Sequence, residues 1–346
     1  MPACVRARKD RKMFKYIIKR LLWAVLILFG VSVIIYTLVR CMPTDYIDIK
    51  YGESAQTNPA VAQRIQEFKE LYGIADNSFG GIIKGYFGWL GKLLQGDLGI
   101  SFKYEIKVGT VIAENMWISF GIALVVTILE FAIAIPLGIT SATHQYSARD
   151  YTVTVFTMIG LSLPTYFFAA ICIKVFAVDL GWLPANGLIY ASKTYADTFA
   201  GGLEKFGDII VHLLMPILVS VILSIGGLMR YTRTNMLEVL NSDYIRTARA
   251  KGLNEGKVIY RHAFRNTLIP LATLLAGILP SLFGGMLITE QVFGIPGIGN
   301  LAYTALREGD IPFIMGYNMF LAILTVVGTL LSDIMYTIVD PRVKLR

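Results

Sequence analysis

The stretch YIRTARAKGLNEGKVIYRHAFRNTLIP, residues 244–270, is a polar and basic segment between long apolar runs. Its arginines suit the carboxylates of another protein, since a guanidinium forms paired hydrogen bonds with a carboxylate. The same cations suit anionic lipid, where each Lys or Arg near the surface contributes about 1 kcal/mol. The residues alone leave a protein dock and a lipid patch equally open.

No motif for catalysis or nucleotide binding accompanies this segment. The nearest match to a phosphate-binding loop, YFGWLGKL, has Tyr86 where the first glycine belongs and Leu93 where Ser or Thr belongs. The glycine-rich GIPGIG, residues 294–299, fits turn geometry better than phosphate binding. HExxH and GxSxG patterns are absent, and the three cysteines show no paired or metal-like spacing. We therefore expect a chain that is not an enzyme and binds no cofactor itself.

Apolar composition defines the broad class of the chain. Of its 346 residues 55% are hydrophobic and 16% charged, and the mean hydropathy is +0.59, which indicates a membrane protein. Six windows are long enough to cross about 30 Å of hydrocarbon. They are residues 16–38, 119–141, 153–178, 211–229, 268–289 and 315–338. Since these runs are about twice the length of a barrel strand, the sequence predicts an all-α bundle of six transmembrane helices.

The distribution of Lys and Arg predicts the orientation, because the excess of these residues stays in the cytoplasm. Residues 1–20 carry eight of them and one acid, and residues 230–266 carry eight and three acids. Residues 41–107, by contrast, carry seven basic and eight acidic side chains. Both chain termini and the loop 230–266 are therefore predicted to be cytoplasmic.

The internal loop is predicted to contain two short helices. Ser242 or Asp243 can cap the first, over residues 244–251, and Gly252 can adopt the left-handed conformation beyond its end. Asn254 can cap the second. In the external segment, residues 58–73 form another predicted helix, and residues 82–94 have the aromatic content of an element at the membrane surface.

Four ionisable residues fall within or near the apolar windows, where a central charge costs about 2.5–3.5 kcal/mol on insertion scales. Lys174 and Asp333 lie near window ends, and His212 can be neutral at a window entrance, which favours structural roles. Glu130 lies near the middle of its window and is predicted to face the bundle interior. It can pair with a partner subunit or line a pathway, and the sequence does not separate the two. Pro164 is predicted to kink the third window.

The segment TARAKGLNEGKVIYRHAFRNTLIP resembles the cytoplasmic EAA loop of membrane subunits of binding-protein-dependent ABC importers. The narrower likeness is to the first permease subunit of dipeptide and oligopeptide importers. It is carried by Ala248, Lys251, Gly252, Leu253, Val258, His262, Arg265, Asn266 and Pro270. In the general motif a Glu and two Ala precede the Gly by six, five and four residues, where this chain has Arg246, Thr247 and Ala248. The peptide-importer variant of the loop accommodates that departure.

Three further stretches extend the resemblance over nearly the whole chain. WLGKLLQGDLGISF, residues 89–102, is similar to the family's segment before the second span. GWLPANG, residues 181–187, resembles its external loop after the third span, and TEQVFGIPGIGNLAYTALREGDIP, residues 289–312, its link between the fifth and sixth spans. The ordered set is more specific than any single motif.

The resemblance implies a type I ABC importer permease fold in the bacterial cell membrane. Residues 1–107 would hold the N-terminus, the first helix and a long external segment, residues 108–339 the permease core, and residues 340–346 a cytoplasmic tail. The loop 230–266 would couple the bundle to a cytoplasmic ATPase. The coupling residues implied are Arg246, Thr247, Ala248, Arg249, Lys251, Gly252, Leu253, His262, Arg265 and Asn266.

Several partners follow from the same resemblance. They are a homologous second permease, two ATPase subunits that hold ATP and Mg, an external peptide-binding protein and the lipid bilayer, with no nucleic acid. Nickel or oligosaccharide are alternative cargoes, since selectivity lies largely with the binding protein. A remoter alternative is an ion-coupled secondary transporter in which Glu130, Lys174 and Asp333 relay ions. That alternative predicts inverted repeats, which the two halves do not show, and leaves the internal loop unexplained.

Overall fold

The computed structural model describes residues 3–41, 58–60, 62, 63, 65 and 78–339. These residues are almost entirely helical, and outside the helices they show an isolated bridge between Ile100 and Lys107 but no strand. The predicted all-α class is confirmed. Most of the predicted helix 58–73 and the tail 340–346 lie outside the described residues.

The helices are named here in chain order. They are α1 (Ala3–Arg40), α2 (Phe79–Leu94), α3 (Val108–Thr143), α4 (Ala148–Ser162), α5 (Thr165–Cys172), α6 (Phe199–Leu240), α7 (Asp243–Ala250), α8 (Arg265–Thr273), α9 (Leu275–Phe283), α10 (Leu287–Val292), α11 (Ile298–Glu308) and α12 (Ile311–Val339). Two π-helical segments, Ile173–Asp179 and Lys257–Phe264, follow α5 and precede α8.

Four helices are long and apolar enough to cross a membrane. They are Ile18–Arg40, Val108–Thr143, Phe199–Leu240 and Ile311–Asp333. A fifth span is counted if the pair Ala148–Ser162 and Thr165–Asp179, which is bent by 100°, acts as one. The bend lies at Leu163 and Pro164, where Leu163 is extended because a residue before proline avoids the helical conformation. The kink predicted at Pro164 is confirmed.

The predicted window 268–289 does not form one long helix. Pro270 and Pro280 lie inside α8 and α9, Leu274 separates these helices, and Gly285 has a φ of +70°. A proline removes a backbone donor and crowds the preceding turn, and a left-handed glycine ends a helix. Single helices in the described chain therefore give four or five spans rather than the six counted in the sequence.

The chain divides into two compact units. In the unit that holds residues up to Trp117 and Leu301–Leu330, α2 packs on α1. The Ser32 hydroxyl lies 2.8 Å from the Tyr86 hydroxyl, and the Tyr36 and Tyr86 rings meet edge to face at 5.5 Å. These contacts hold α2 against the first span.

A buried carboxylate, Asp310, joins two distant stretches of the same unit. It accepts hydrogen bonds from the Ser101 hydroxyl and from the N–H groups of Phe102 and Lys103. It also accepts from the N–H of Phe313, so it caps α12. The segment before α3 and the start of α12, both part of the family resemblance, are therefore fixed to each other.

The second unit holds Ile118–Asn300 and is built around α6, which contacts α4, α5, α8 and α10. Glycines bring backbones together on α6. A Cβ at Gly160 would lie 2.6 Å from the Ile222 oxygen, and one at Gly226 would lie 2.5 Å from the Thr157 oxygen. Since real Cβ atoms do not approach so closely, α4 and α6 cross in direct backbone contact.

We expect Asp310→Ala to lower the free energy of unfolding by roughly 2–3 kcal/mol, because buried donors lose a charged acceptor and α12 loses its cap. Thermal unfolding in detergent measures the effect. Glu308→Gln is the matched control: it removes only the partly exposed ion pair with Lys103, at 2.8 Å, worth about 1 kcal/mol or less. Equal losses in the two variants would contradict the assigned role of Asp310.

Candidate functional site

The candidate site is the segment that follows the end of α6. Its helix ends at Asn241, whose N–H donates to the Leu237 oxygen, and α7 then begins at Asp243. Ser242 occupies the predicted cap position, but its hydroxyl donates back to the Val239 oxygen at 2.5 Å instead of capping α7. The chain therefore turns from α6 into α7 without a side-chain cap on α7.

The turn after α7 is fixed by its own backbone. Gly252 has a φ of +75°, its N–H donates to the Arg249 oxygen at 2.9 Å, and the Leu253 N–H donates to the Ala248 oxygen at 3.4 Å. This pair of hydrogen bonds is the Schellman arrangement, which requires a left-handed residue at that position. The turn predicted at Gly252 is confirmed.

The second half of the segment begins at Asn254. Its side-chain oxygen accepts from the Gly256 N–H at 2.9 Å, as predicted for a cap. Across the turn, the Arg249 guanidinium lies 2.7 Å from the Glu255 carboxylate. This pairing raises the pKa of Arg249 and lowers the pKa of Glu255. Arg249 therefore already has an acidic partner within the chain, which braces the two helices.

The inner face of the segment is apolar and buried. Ile245 and Ala248 of α7 pack with Val258 and Ala263 of the π-helical stretch. These side chains lie against Ile139 and Ala142 of α3 and Met236 of α6. The segment is thus packed directly on the ends of two long helices.

The outer face carries most of the residues that the sequence singled out. The exposed members are Arg246, Thr247, Arg249, Lys251, Gly252, Leu253, Arg265 and Asn266, and His262 is half-buried. Ala248, one of the coupling residues that the resemblance implies, is instead buried against this chain's own helices. It therefore serves internal packing. A partner that approaches the outer face meets cations, Thr247 and the exposed ring of Tyr244.

Glu130 lies apart from this segment, in the middle of α3. It is half-buried, and Ser224 of α6 is a polar neighbour. Lys174 pairs with Asp179 at 2.7 Å, and His212 contacts the Asp208 backbone oxygen at 2.7 Å. Both contacts agree with the structural roles favoured for these two residues.

Besides Asp310, sequence reasoning missed two further buried carboxylates. Asp150 pairs with Arg233, a residue counted only as a cytoplasmic cation. Glu290 is fully buried and accepts from the Ser119 hydroxyl at 2.7 Å and from the N–H groups of Met286 and Asn300 at 2.9 Å. An acid within three residues of an apolar window is the signal that could have found both.

Family models match most of the chain. Residues 134–345 match the model described as "Binding-protein-dependent transport system inner membrane component". Residues 13–123 match the model described as "Binding-prot-dependent transport system membrane comp, N-term".

Curated relatives match over nearly their full length. The chain is 38% identical over 337 residues to the oligopeptide transport system permease protein AppB of Bacillus subtilis, covering 96% of this chain and 100% of the relative. It is 33% identical over 345 residues to the dipeptide transport system permease protein DppB of Alkalihalophilus pseudofirmus, covering 96% and 100%. Among solved structures, a chain of the inward-facing MetNI methionine ABC transporter matches with a TM-score of 0.49 and 15% identity, covering 66% of this chain and 96% of that chain.

We expect Ile245→Ala to loosen the segment locally by about 2–4 kcal/mol, because Ile245 is 0% exposed and anchors α7. Hydrogen–deuterium exchange of peptides covering residues 243–264 should become faster. Tyr244→Ala is the matched control. Tyr244 directly precedes Ile245, but it is 47% exposed and contributes little to packing. Equal exchange in both variants would show that α7 is not anchored through this face.

Proposed function

We propose that this chain, which belongs to the family of binding-protein-dependent transport system inner membrane components, is a permease subunit of a peptide importer driven by ATP hydrolysis on other subunits. It is a multi-pass bacterial membrane protein. With a homologous second permease it forms the translocation pathway, and an external binding protein delivers the cargo to that pathway.

The observation that carries the proposal is the construction of residues 243–264. Their inner face packs on α3 and α6, while their outer face presents cations to the surroundings. The Gly252 turn and the Arg249–Glu255 pair give this short segment one fixed shape. A lipid patch needs charge but no fixed shape, so a rigid, anchored element favours docking to a protein.

The mechanism follows from that anchoring. We propose that two ATPase subunits bind ATP and Mg, and that their closure displaces the segment 243–264. Because this segment packs on the ends of α3 and α6, its displacement moves whole helices and changes which side of the pathway is open. This chain's own residues act by docking and by transmitting the movement.

Peptides are the proposed cargo because the relatives named above are an oligopeptide and a dipeptide permease protein. The test is reconstitution of the chain with its second permease, ATPases and binding protein, followed by uptake of labelled peptides of different length. Uptake should need ATP and all components. Uptake driven by an ion gradient alone would contradict the importer mechanism, and ATP-dependent uptake of nickel or oligosaccharide instead of peptide would contradict the cargo.

We expect Gly252→Val to uncouple the importer without preventing insertion. A Cβ at this position meets nothing within 4 Å, so the cost is the left-handed backbone, about 1–2 kcal/mol for a residue with a side chain. The rise in ATP hydrolysis on adding loaded binding protein should fall about fivefold or more. Gly252→Asn is the control, because asparagine tolerates this conformation and should keep most of the stimulation. Normal stimulation in the valine variant would disprove the docking role of the turn.

We propose that Glu130 pairs within this chain, with Ser224, and does not relay ions. Glu130→Gln keeps a hydrogen-bonding side chain and should change assembly and stability by only about 0.5 kcal/mol or less. Peptide uptake should stay near the wild-type rate. A variant that assembles normally but loses uptake would instead place Glu130 in the pathway.

A further inference from the structure

An ion pair joins the start of α4 to the last part of α6. The Arg233 Nε lies 3.0 Å from Asp150 Oδ1, and its Nη2 lies 2.9 Å from Oδ2. Asp150 is only 4% exposed. This two-point geometry fixes the orientation of both side chains, since a planar guanidinium matches a carboxylate in one arrangement.

The same carboxylate collects hydrogen bonds from other elements. The Ser141 hydroxyl, near the end of α3, donates to Asp150 and accepts from Arg233 Nε at 2.9 Å. The Tyr146 N–H donates to Asp150 Oδ2 at 3.0 Å, and the Thr154 hydroxyl lies 3.4 Å from Oδ1. One buried pair thus links α3, the turn after it, α4 and α6.

The turn between α3 and α4 depends on this contact. Tyr146 has a φ of +63°, a conformation that residues with a Cβ rarely adopt. Tyr146 is 75% exposed, so side-chain packing does not hold it in this conformation. Its N–H bond to Asp150 is the contact that compensates the strained backbone.

Close backbone packing surrounds the pair. A Cβ at Gly138, one turn before Ser141, would lie 2.7 Å from the Thr232 Cβ and 2.8 Å from the Met229 oxygen. With the contacts of Gly160 and Gly226 described above, α4 meets α6 backbone to backbone, and α3 approaches α6 at Gly138 with only the small Thr232 side chain and the Met229 oxygen opposite it. Such an interface contains few flexible side chains that could rearrange when the helices are pushed.

The segment 243–264 lies beside this pair. Ala142 follows Ser141 directly, and Met236 lies one turn after Arg233; both pack against the segment 243–264. Any force on that segment therefore enters α3 and α6 where Asp150 ties them to α4.

We propose that Asp150 and Arg233 are positioning residues that make α3, α4 and α6 move as one block together with the segment 243–264 when that segment is displaced. The inference rests on the proposed function. A bidentate buried pair is either formed or lost, because breaking it strands an uncompensated charge. Apolar side chains can shift past one another in small steps. The ion pair therefore makes the contact between α3, α4 and α6 more rigid than apolar packing alone would.

The test uses the full importer complex and spin labels at Tyr151→Cys on α4 and Lys251→Cys in the segment, with Cys4, Cys41 and Cys172 replaced by serine. Both labelled positions are exposed. In the wild-type complex, the distribution of distances between the two nitroxides should be narrow, and its mean should be the same without nucleotide and with ATP bound. In Arg233→Lys, which keeps the charge but loses the fork, the distribution should broaden on ATP binding.

Function gives a second readout. Peptide uptake per ATP hydrolysed should fall about fivefold or more in Arg233→Lys and Asp150→Asn, with assembly and basal hydrolysis retained. Thr232→Val is the matched control. Thr232 is buried next to Arg233, and its hydroxyl has no hydrogen-bond partner among the residues that the structure describes, so this variant should behave as wild type.

Several outcomes would overturn the inference. One is a Tyr151–Lys251 distance that differs between the nucleotide-free and the ATP-bound wild-type complex. This result would contradict the proposed block even if every variant failed to assemble. Another is an Arg233→Lys complex with unchanged distances and unchanged coupling. If the wild-type complex hydrolyses ATP but imports no peptide, the proposal that peptides are the cargo is wrong. The Tyr151–Lys251 distance then still tests whether the helices move as one block.

Discussion

Direct backbone contact with α6 is the constraint on which the larger unit of this protein depends. Glycines at positions 138, 160 and 226 let α3 and α4 approach α6 where any side chain would collide. In hydrocarbon, helix association relies on such close packing because burial of apolar surface gives no advantage over lipid. The long helix α6 leads into the segment 243–264, so the packing that holds this unit together lies next to that segment.

Buried carboxylates fix the joints of this framework. Asp150 ties α4 to α6, Glu290 ties the glycine-rich link to Ser119, and Asp310 ties the start of α12 to the segment before α3. Each carboxylate accepts several hydrogen bonds, which offsets the cost of burying its charge. Because these hydrogen bonds are directional, each carboxylate fixes the relative position of the segments that it connects. The protein thus combines close helix contacts with a few sites at which register is set by charge.

The segment 243–264 shows how a short polar element gains a fixed shape. Eight residues of α7 are too few for an isolated helix in water, so tertiary packing through Ile245 must supply its stability. The Gly252 turn and the Arg249–Glu255 pair then set the direction of the stretch that follows. Arg246 and Lys251 remain exposed on the outer face, where they suit an acidic partner surface.

The sequence alone determined the all-helical class, the bend at Pro164, the left-handed turn at Gly252 and the cap at Asn254. These features depend on local chemistry: the length of an apolar run, a missing N–H, or a conformation that only a few residue types adopt. Tertiary structure decided that Ala248 is buried and that Arg233 pairs with Asp150 rather than only adding to the cytoplasmic charge. Those two residues lie 83 positions apart, so no local pattern joins them, and only the packing of α4 on α6 brings their charges together.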